Sequence, residues 1–218
     1  MNQAFDIIIV GAGMVGAALA NGLGQQGIKV GLIDKAEPSD FDADASPDIR
    51  VSALSAGSER YLQSLGAWPR IQTMRATPYR RLAVWDETPH PLSRLLPGSL
   101  TEVEFNATDL GAGHLGHIVE NSITQNALWQ TLQDEPDVTL ITGQGLKALT
   151  QNAERATITL DDGTELSAQL IVGADGAMSR VRELAGIGVT RDQYEQQAMV
   201  SSVRYLGQPE DITWQGFY

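Results

Sequence analysis

The chain has 218 residues, of which 42% are hydrophobic and 19% charged, a composition typical of a folded globular protein rather than a disordered or fibrous one. Its formal charge of −12 at pH 7 repels phosphate backbones, so we expect no nucleic-acid partner. The absence of cysteine excludes disulfides, thiolate metal sites and a cysteine nucleophile. No export signal and no apolar stretch of the roughly 18 to 20 residues that span a bilayer are present, so we expect a cytoplasmic location.

The first elements of the chain form a predicted βαβ unit. The apolar run Ile7 to Val10 is typical of a strand buried on both faces of a parallel sheet. Met14 to Gln26 is rich in Ala and Leu and precedes Gly27, which predicts a helix with a glycine stop. Lys29 to Ile33 is predicted as the second strand, and the acidic segment Ala36 to Asp48 as an exposed loop.

A glycine-rich motif joins the first strand to the helix. Gly11 to Gly16 read G-x-G-x-x-G, in which the glycines permit a tight turn, close approach of a pyrophosphate and close packing of helix on strand. Asp34 ends the second strand 23 residues after Gly11, where a carboxylate can accept hydrogen bonds from both hydroxyls of an adenosine ribose. The motif alone leaves FAD and NAD open, and glycines that serve packing alone are the structural alternative.

The remaining chain is predicted to mix helices and strands. Helices are predicted over Ser58 to Leu65 and Ser122 to Leu132, and strands over Arg81 to Trp85, Leu115 to Val119, Val138 to Ile141, Ala156 to Leu160, Leu166 to Val172, Met199 to Tyr205 and Ile212 to Tyr218. The turn Asp161 to Gly163 predicts a hairpin between two of these strands, and Thr88 to Gly113, with three prolines, is predicted to be mostly loop.

A second junction of strand, turn and helix is predicted downstream. Leu170 to Val172 leads into Gly-Ala-Asp-Gly at residues 173–176, followed by Ser179 and the Val-Arg pair that ends at Arg182. This pattern resembles the Asp-Gly motif of the class A flavoprotein monooxygenases. Together with the N-terminal glycine motif it is far more specific than either motif alone, and it favours FAD over NAD.

Other segments are similar to the ubiquinone-biosynthesis hydroxylases within that class. These segments are Asp48 to Ser55, Leu65 to Trp68 and Gly116 to Asn121. Pro78 to Leu82 and Ala185 to Val189 most resemble the branch that hydroxylates a methoxy-methyl-polyprenyl-benzoquinol, with the polyprenylphenol 5-hydroxylases a close alternative.

The resemblance implies an α/β fold, a Rossmann-like FAD-binding domain of the class A monooxygenase type with part of a β-rich substrate domain. It implies FAD-binding segments at residues 1–75 and 114–185 and substrate-domain segments at 76–113 and 186–218. The third family fingerprint, a Gly-Asp motif, is absent, so we expect an N-terminal fragment of a longer enzyme that binds FAD weakly or not at all and does not turn over.

The resemblance also implies the chemistry and the site. NAD(P)H would reduce FAD, and O₂ would supply the hydroxyl group placed on a polyprenylated phenol or quinol. Association with a ubiquinone-biosynthesis complex or with the inner membrane surface is also implied. The implied cofactor-binding residues are Gly11, Gly13, Met14, Val15, Gly16, Asp34, Arg50, Ser52, Asn121, Gln125, Asp175 and Gly176. No catalytic residue is assigned.

Within this set, the glycines and Arg50 are expected at the pyrophosphate, with Arg50 also near the ribityl chain, and Asp34 at the adenosine ribose. Asp175 is expected at the pyrophosphate, near the route of the nicotinamide cofactor. For Arg50 the structural alternative is a surface arginine paired with Asp48.

Some side chains are not assigned to a site. His114 and His117 have no nearby cysteine and no acid at ligand spacing, so we expect no metal site there. Arg182 is expected to be a solvated helix residue. Two further functions stay open, a stand-alone nucleotide-binding module and a flavin or nicotinamide dehydrogenase.

Overall fold

The computed structural model describes residues 3–86, 102–192, 194–204, 206–207 and 211–217. Within these ranges the helices are α1 (Met14–Gly24), α2 (Ala56–Ser64), α3 (Trp68–Thr73), α4 (Asn121–Gln133) and α5 (Arg180–Leu184), with a 3-10 turn at Ala107–Leu110. The strands are β1 (Gln3–Ala4), β2 (Ile7–Val10), β3 (Val30–Ile33), β4 (Val51–Ser55), β5 (Thr77–Tyr79), β6 (Arg81–Asp86), β7 (Glu102–Asn106), β8 (Gly116–Glu120), β9 (Val138–Ile141), β10 (Leu146–Gln151), β11 (Ala156–Leu160), β12 (Glu165–Ala168), β13 (Leu170–Gly173) and β14 (Ile212–Phe217).

A parallel four-stranded sheet lies at the centre, in the order β13-β2-β3-β9. One of its two inner strands, β2, is buried on both faces, because Ile8 and Ile9 are each 0% exposed. Ile9 packs in a core formed with α1 and α4, whereas Ile8 packs in a second core formed with the sheet β1-β12-β11-β10. The central sheet therefore lies between helices α1 and α4 on one face and the sheet β1-β12-β11-β10 on the other. Because both faces are covered, β2 is an uninterrupted apolar run.

Two three-stranded sheets complete the described structure. The sheet β4-β8-β5 is antiparallel, and it places β4 beside β8 immediately before α4. In the sheet β14-β6-β7, β6 pairs parallel with β14 and antiparallel with β7. The division of the chain into segments at residues 75, 113 and 185 stays a prediction.

The predicted βαβ unit and hairpin are confirmed. The predicted strands Ile7 to Val10, Val138 to Ile141 and Ala156 to Leu160 have the observed bounds. The predicted helices Met14 to Gln26 and Ser122 to Leu132 differ from the observed ones by at most two residues at either end. β4, β5, β10 and α3 were not predicted, because they are short and lack a distinctive apolar period.

Three predictions are corrected. The prediction of a single strand over Leu166 to Val172 is wrong, because β12 and β13 belong to different sheets. The chain passes from one sheet to the other where the backbone amides of Gln169 and Leu170 both donate to the carbonyl of Asp6. The loop Thr88 to Gly113 contains β7 in its described part, while residues 87–101 lie outside the described residues.

The strand Met199 to Tyr205 is also wrong for residues 199–204, and Tyr205 lies outside the described residues. Met199 is 94% exposed and Val203 86%, so these apolar side chains face no core that would select a strand.

Candidate cofactor-binding site

Two turns at the carboxyl edge of the central sheet are interlocked through their backbones. Gly11 has a φ of +105°, and a Cβ atom on it would overlap the carbonyl oxygen of Ala174. A Cβ on Gly16 would overlap the carbonyl oxygen of Gly11. The Ala174 amide donates to the Val10 carbonyl at 2.7 Å. Glycine is therefore required at both positions, since no side chain has room between helix, strand and second turn.

The N-terminus of α1 opens beside this contact. Gly13 is the N-cap, its backbone is extended, and no side chain caps the helix. A Cβ on Gly13 would meet nothing within 4 Å, and Val15 is 75% exposed. The first amide groups of a helix have no intrahelical acceptor and carry the positive end of its dipole. The open space before Gly13 therefore suits an anionic group such as a pyrophosphate.

Asp34 is tied to the same turn. Its Oδ2 accepts a hydrogen bond from the amide of Ala12 at 2.6 Å, and its Oδ1 accepts one from the amide of Ala36 at 3.2 Å. Each carboxylate oxygen can accept more than one hydrogen bond, so both retain capacity for ribose hydroxyls. The two amides fix the orientation of the carboxylate at the end of β3.

A cleft of about 660 Å³ runs along this edge of the sheet. Five of the predicted residues line it, namely Gly11, Gly13, Asp34, Asp175 and Gly176. The other polar residues and loop residues of the lining were not predicted from the sequence: Lys35, Gln144, Gly145, Asp161, Met178 and Arg180. Most of these come from the β9–β10 connection, the turn after β11 and the start of α5. The last two were predicted as a hairpin turn and as part of the Asp-Gly junction, but only the sheet topology brings them to the cleft.

The carboxylate of Asp175 accepts hydrogen bonds from within its own turn. It accepts hydrogen bonds from the Ser179 hydroxyl at 2.6 Å and from the amides of Arg180 and Val181 at 2.6 and 3.1 Å. Burial raises the pKa of Asp175, but the hydrogen bonds from Ser179, Val181 and Arg180 outweigh it and hold that pKa below its usual value. The carboxylate thus caps α5 and fixes the turn that contacts Gly11.

Arg182 also stabilises this turn, since its guanidinium donates to the carbonyl of Ala177 at 2.8 Å. The side chain is partly exposed and is held by this hydrogen bond, whereas a solvated arginine was expected.

A second group of predicted residues forms a line of hydrogen bonds that leads to the glycine turn. The backbone amide of Asn121 donates to the carbonyl of Arg50 at 2.9 Å, and the Ser52 hydroxyl donates to the side-chain oxygen of Asn121 at 2.6 Å. One turn further along α4, the Gln125 amide group donates to the carbonyl of Ala12 at 3.0 Å. These four residues do not line the cleft, but they hold β4, β8 and α4 against its glycine turn.

Three of the predicted residues have side chains that do not contact the cleft. Arg50 is exposed, and its backbone amide donates to Asp48 Oδ1 at 3.1 Å, whereas no ion pair of its guanidinium occurs among the described residues. Met14 packs against the core on the α1 side of the sheet, and Val15 faces solvent. Met14 and Val15 can therefore offer backbone amides, but not side chains, to a cofactor in the cleft.

The chain matches the family model of the FAD binding domain over residues 4–212, and it belongs to that family. The class A flavoprotein fold and the FAD cofactor expected from the sequence are confirmed.

Individual relatives are hydroxylases of ubiquinone biosynthesis. The chain is 46% identical over 217 residues to the 3-demethoxyubiquinol 3-hydroxylase of Escherichia coli, covering 99% of this chain and 52% of the relative. It is 33% identical to a mitochondrial ubiquinone biosynthesis monooxygenase of Danio rerio, covering 99% and 46%. The chain thus spans about half the length of the curated relatives it matches.

The fold is similar to that of PqsL, a probable FAD-dependent monooxygenase from Pseudomonas aeruginosa, with a TM-score of 0.66, 22% identity and coverage of 88% of this chain and 48% of PqsL. In the described part of this chain, no helix has the length and apolar character that crossing a bilayer would need.

The residues at the cleft fit the adenosine diphosphate end of FAD. The α1 terminus without a side-chain cap and the open space at Gly13 have the chemistry that a pyrophosphate needs, and the oriented Asp34 carboxylate has the acceptors that a ribose needs.

Proposed function

We propose that this chain is the FAD-binding part of an FAD- and NAD(P)H-dependent monooxygenase that hydroxylates a polyprenylated benzoquinol in ubiquinone biosynthesis. The observation that carries the proposal is the interlocked pair of turns at Gly11 and Ala174, which joins the dinucleotide motif to the Asp-Gly motif in one cleft. The 46% identity to a 3-demethoxyubiquinol 3-hydroxylase supports the benzoquinol branch over the polyprenylphenol 5-hydroxylase alternative.

When bound, FAD supplies the redox and oxygen chemistry that protein side chains lack. The residues of this chain bind and orient it. The amides at the start of α1 receive the pyrophosphate, and Asp34 accepts hydrogen bonds from the adenosine ribose. Gly13 leaves room for the close approach, and the Gln125 side chain keeps the Ala12 peptide in place.

Arg50, Ser52 and Asn121 are proposed to lie beside the rest of the cofactor. Their hydrogen bonds join β4 to the start of α4, and Gln125, one turn further along α4, contacts the glycine turn, so a cofactor that continues past the pyrophosphate along α4 would meet them. The guanidinium of Arg50 is exposed, and its planar fork of N–H donors can bind phosphate oxygens.

The substrate, reductant and location are part of the same proposal. A quinol-type substrate and O₂ follow from the relatives, whereas NAD(P)H, a complex of ubiquinone-biosynthesis proteins and cytoplasmic or peripheral membrane placement rest on the resemblance alone. A lipid-tailed substrate favours contact with a membrane surface.

The test is to purify the protein encoded by the gene that contains this sequence and to assay it with FAD, NADH or NADPH and a demethoxyubiquinol analogue. We expect a yellow protein whose oxidation of reduced nicotinamide is coupled to formation of hydroxylated quinol. A colourless protein that gains no flavin absorbance with added FAD would contradict the proposal, and so would nicotinamide oxidation without hydroxylated product.

A further inference from the structure

A buried carboxylate lies between two histidines at the start of β8, away from the residues that line the cofactor cleft. Glu59 on α2 is 8% exposed, and its Oε2 lies 2.7 Å from His114 Nε2. Its Oε1 lies 2.6 Å from His117 Nδ1. The acid precedes the histidines by more than fifty residues, so only the fold brings these donors together.

The three side chains extend from backbone that is held in place. His117 lies within β8, where it pairs with Leu54 of β4 on one side and Pro78 of β5 on the other. Next to His114, the Leu115 amide donates to the carbonyl of Tyr79 at 2.9 Å. The His117 ring packs edge-on against Trp68, with ring centroids 5.0 Å apart. A site on such anchored elements keeps its donor geometry without reorganisation of the backbone.

The donor set is that of a transition-metal site. One donor atom from each of Glu59, His114 and His117 lies within 4.8 Å of the other two. Two imidazoles and one carboxylate bind Zn²⁺ in tetrahedral sites that keep a fourth position for water, whereas Mg²⁺ and Ca²⁺ prefer oxygen ligands. Donors around a tetrahedral zinc ion lie about 3.3 Å apart. The two imidazole nitrogens contact different carboxylate oxygens at 2.7 and 2.6 Å, so an ion would separate them from the carboxylate and would draw together donors that now lie up to 4.8 Å apart.

We propose that Glu59, His114 and His117 bind a divalent transition-metal ion of the zinc type. The ion joins α2 to β8, and it reaches the site from the side of His114, whose side chain is 36% exposed compared with 12% for His117. The sequence expectation of no metal rested on the lack of a nearby acid, and the fold supplies that acid from α2. Because a ligand that binds only the folded state shifts the folding equilibrium, the ion raises the unfolding temperature of the chain.

The experiment titrates ZnCl₂ into the metal-free 218-residue chain by calorimetry and follows thermal unfolding with Zn²⁺ or Mg²⁺. We expect one zinc ion per chain and a higher unfolding temperature with Zn²⁺ but not with Mg²⁺. His114→Ala, at the most exposed of the three positions, should weaken zinc binding at least about tenfold while the chain stays folded. Glu59→Gln should do the same, and Co²⁺ in place of Zn²⁺ should show the visible absorption of a tetrahedral site.

The matched control is His90→Ala, which replaces the one histidine of the chain outside the proposed site and should leave zinc binding unchanged. No zinc binding, or several weak sites that His114→Ala leaves unaltered, would overturn the proposal. Loss of zinc binding in His90→Ala with full binding in His114→Ala would also overturn it, since the ion would then be bound elsewhere. None of these outcomes bears on FAD binding, which is measured separately.

Discussion

Gly11 and Ala174 lie in direct backbone contact, which fixes the turn after β2 against the turn after β13. The two glycine-containing motifs are more than 150 residues apart in the sequence, yet a single missing Cβ atom allows them to meet. The contact therefore requires glycine at position 11, and it brings the glycine motif and the Asp-Gly motif together in one cleft.

Gly11→Ala is expected to destabilise the chain by at least about 2 kcal/mol, because it forces a side chain into a left-handed backbone conformation and into the Ala174 carbonyl. Urea unfolding followed by circular dichroism measures the change. The control is Gly113→Ala, at a position where φ is not positive and a Cβ meets nothing within 4 Å. Equal stabilities of the two variants would show that the contact is not as tight as described.

Asp34→Asn is expected to lower the affinity for FAD and for ADP by about tenfold to a hundredfold, because hydrogen bonds to a charged acceptor are stronger than those to a neutral amide. Calorimetric titration of each nucleotide measures the loss. Asp40→Asn removes a charge from the exposed acidic loop and should have little effect. If both variants lost affinity equally, the loss would come from the change in net charge and not from a contact between Asp34 and the ribose.

Gln125→Met removes the hydrogen bond to the Ala12 carbonyl with little change in size. We expect a loss of about 1 kcal/mol in unfolding free energy and weaker FAD binding, since the glycine turn loses a support. Gln133→Met changes an exposed amide at the other end of α4 and serves as the control. Unchanged FAD affinity in Gln125→Met would mean that the turn holds its shape without this side chain.

Asp175→Asn is expected to change how stability depends on pH. Because the pKa of Asp175 in the folded chain is held below its usual value of 3.8, ionised Asp175 stabilises the fold above about pH 4. That contribution is lost as the pH falls through the lowered folded-state pKa. The unfolding free energy of the wild-type chain should therefore fall more steeply with acid than that of Asp175→Asn. Parallel curves below pH 4 would show that the hydrogen bonds at Asp175 do not favour its ionised form.

Much of the fold and part of the site could be predicted because they depend on local patterns. The apolar run in β2, the glycine motif and Asp34 all lie within the first βαβ unit, and each has a direct physical reason for its residue type. The Asp-Gly turn was predicted too, but its function as a helix cap for α5 was not, because the hydrogen bonds of Asp175 depend on the conformation of the turn.

The missed features depend on contacts between distant segments. Lys35, Gln144 and Asp161 reach the cleft from two loops and a hairpin turn whose local sequence does not indicate a cofactor contact, and Glu59 reaches two histidines through the packing of α2 on β8. The break between β12 and β13 was missed for a similar reason. Apolar and polar residues alternate from Leu166 to Leu170, so the pattern continues through Gln169 and does not show where the chain passes from one sheet to another.

The most direct test of the central claim is an FAD titration of the full-length protein encoded by the gene that contains this sequence and of its Gly13→Ala variant, with Gly113→Ala as the control. Gly13 has open space in front of it, so the added methyl group should leave the fold intact and block only the close approach of a pyrophosphate. We expect FAD binding that ADP displaces in the full-length wild-type protein and in Gly113→Ala, and a loss of at least about tenfold in Gly13→Ala. Equal FAD affinity in all three proteins, or binding that ADP does not displace, would contradict it.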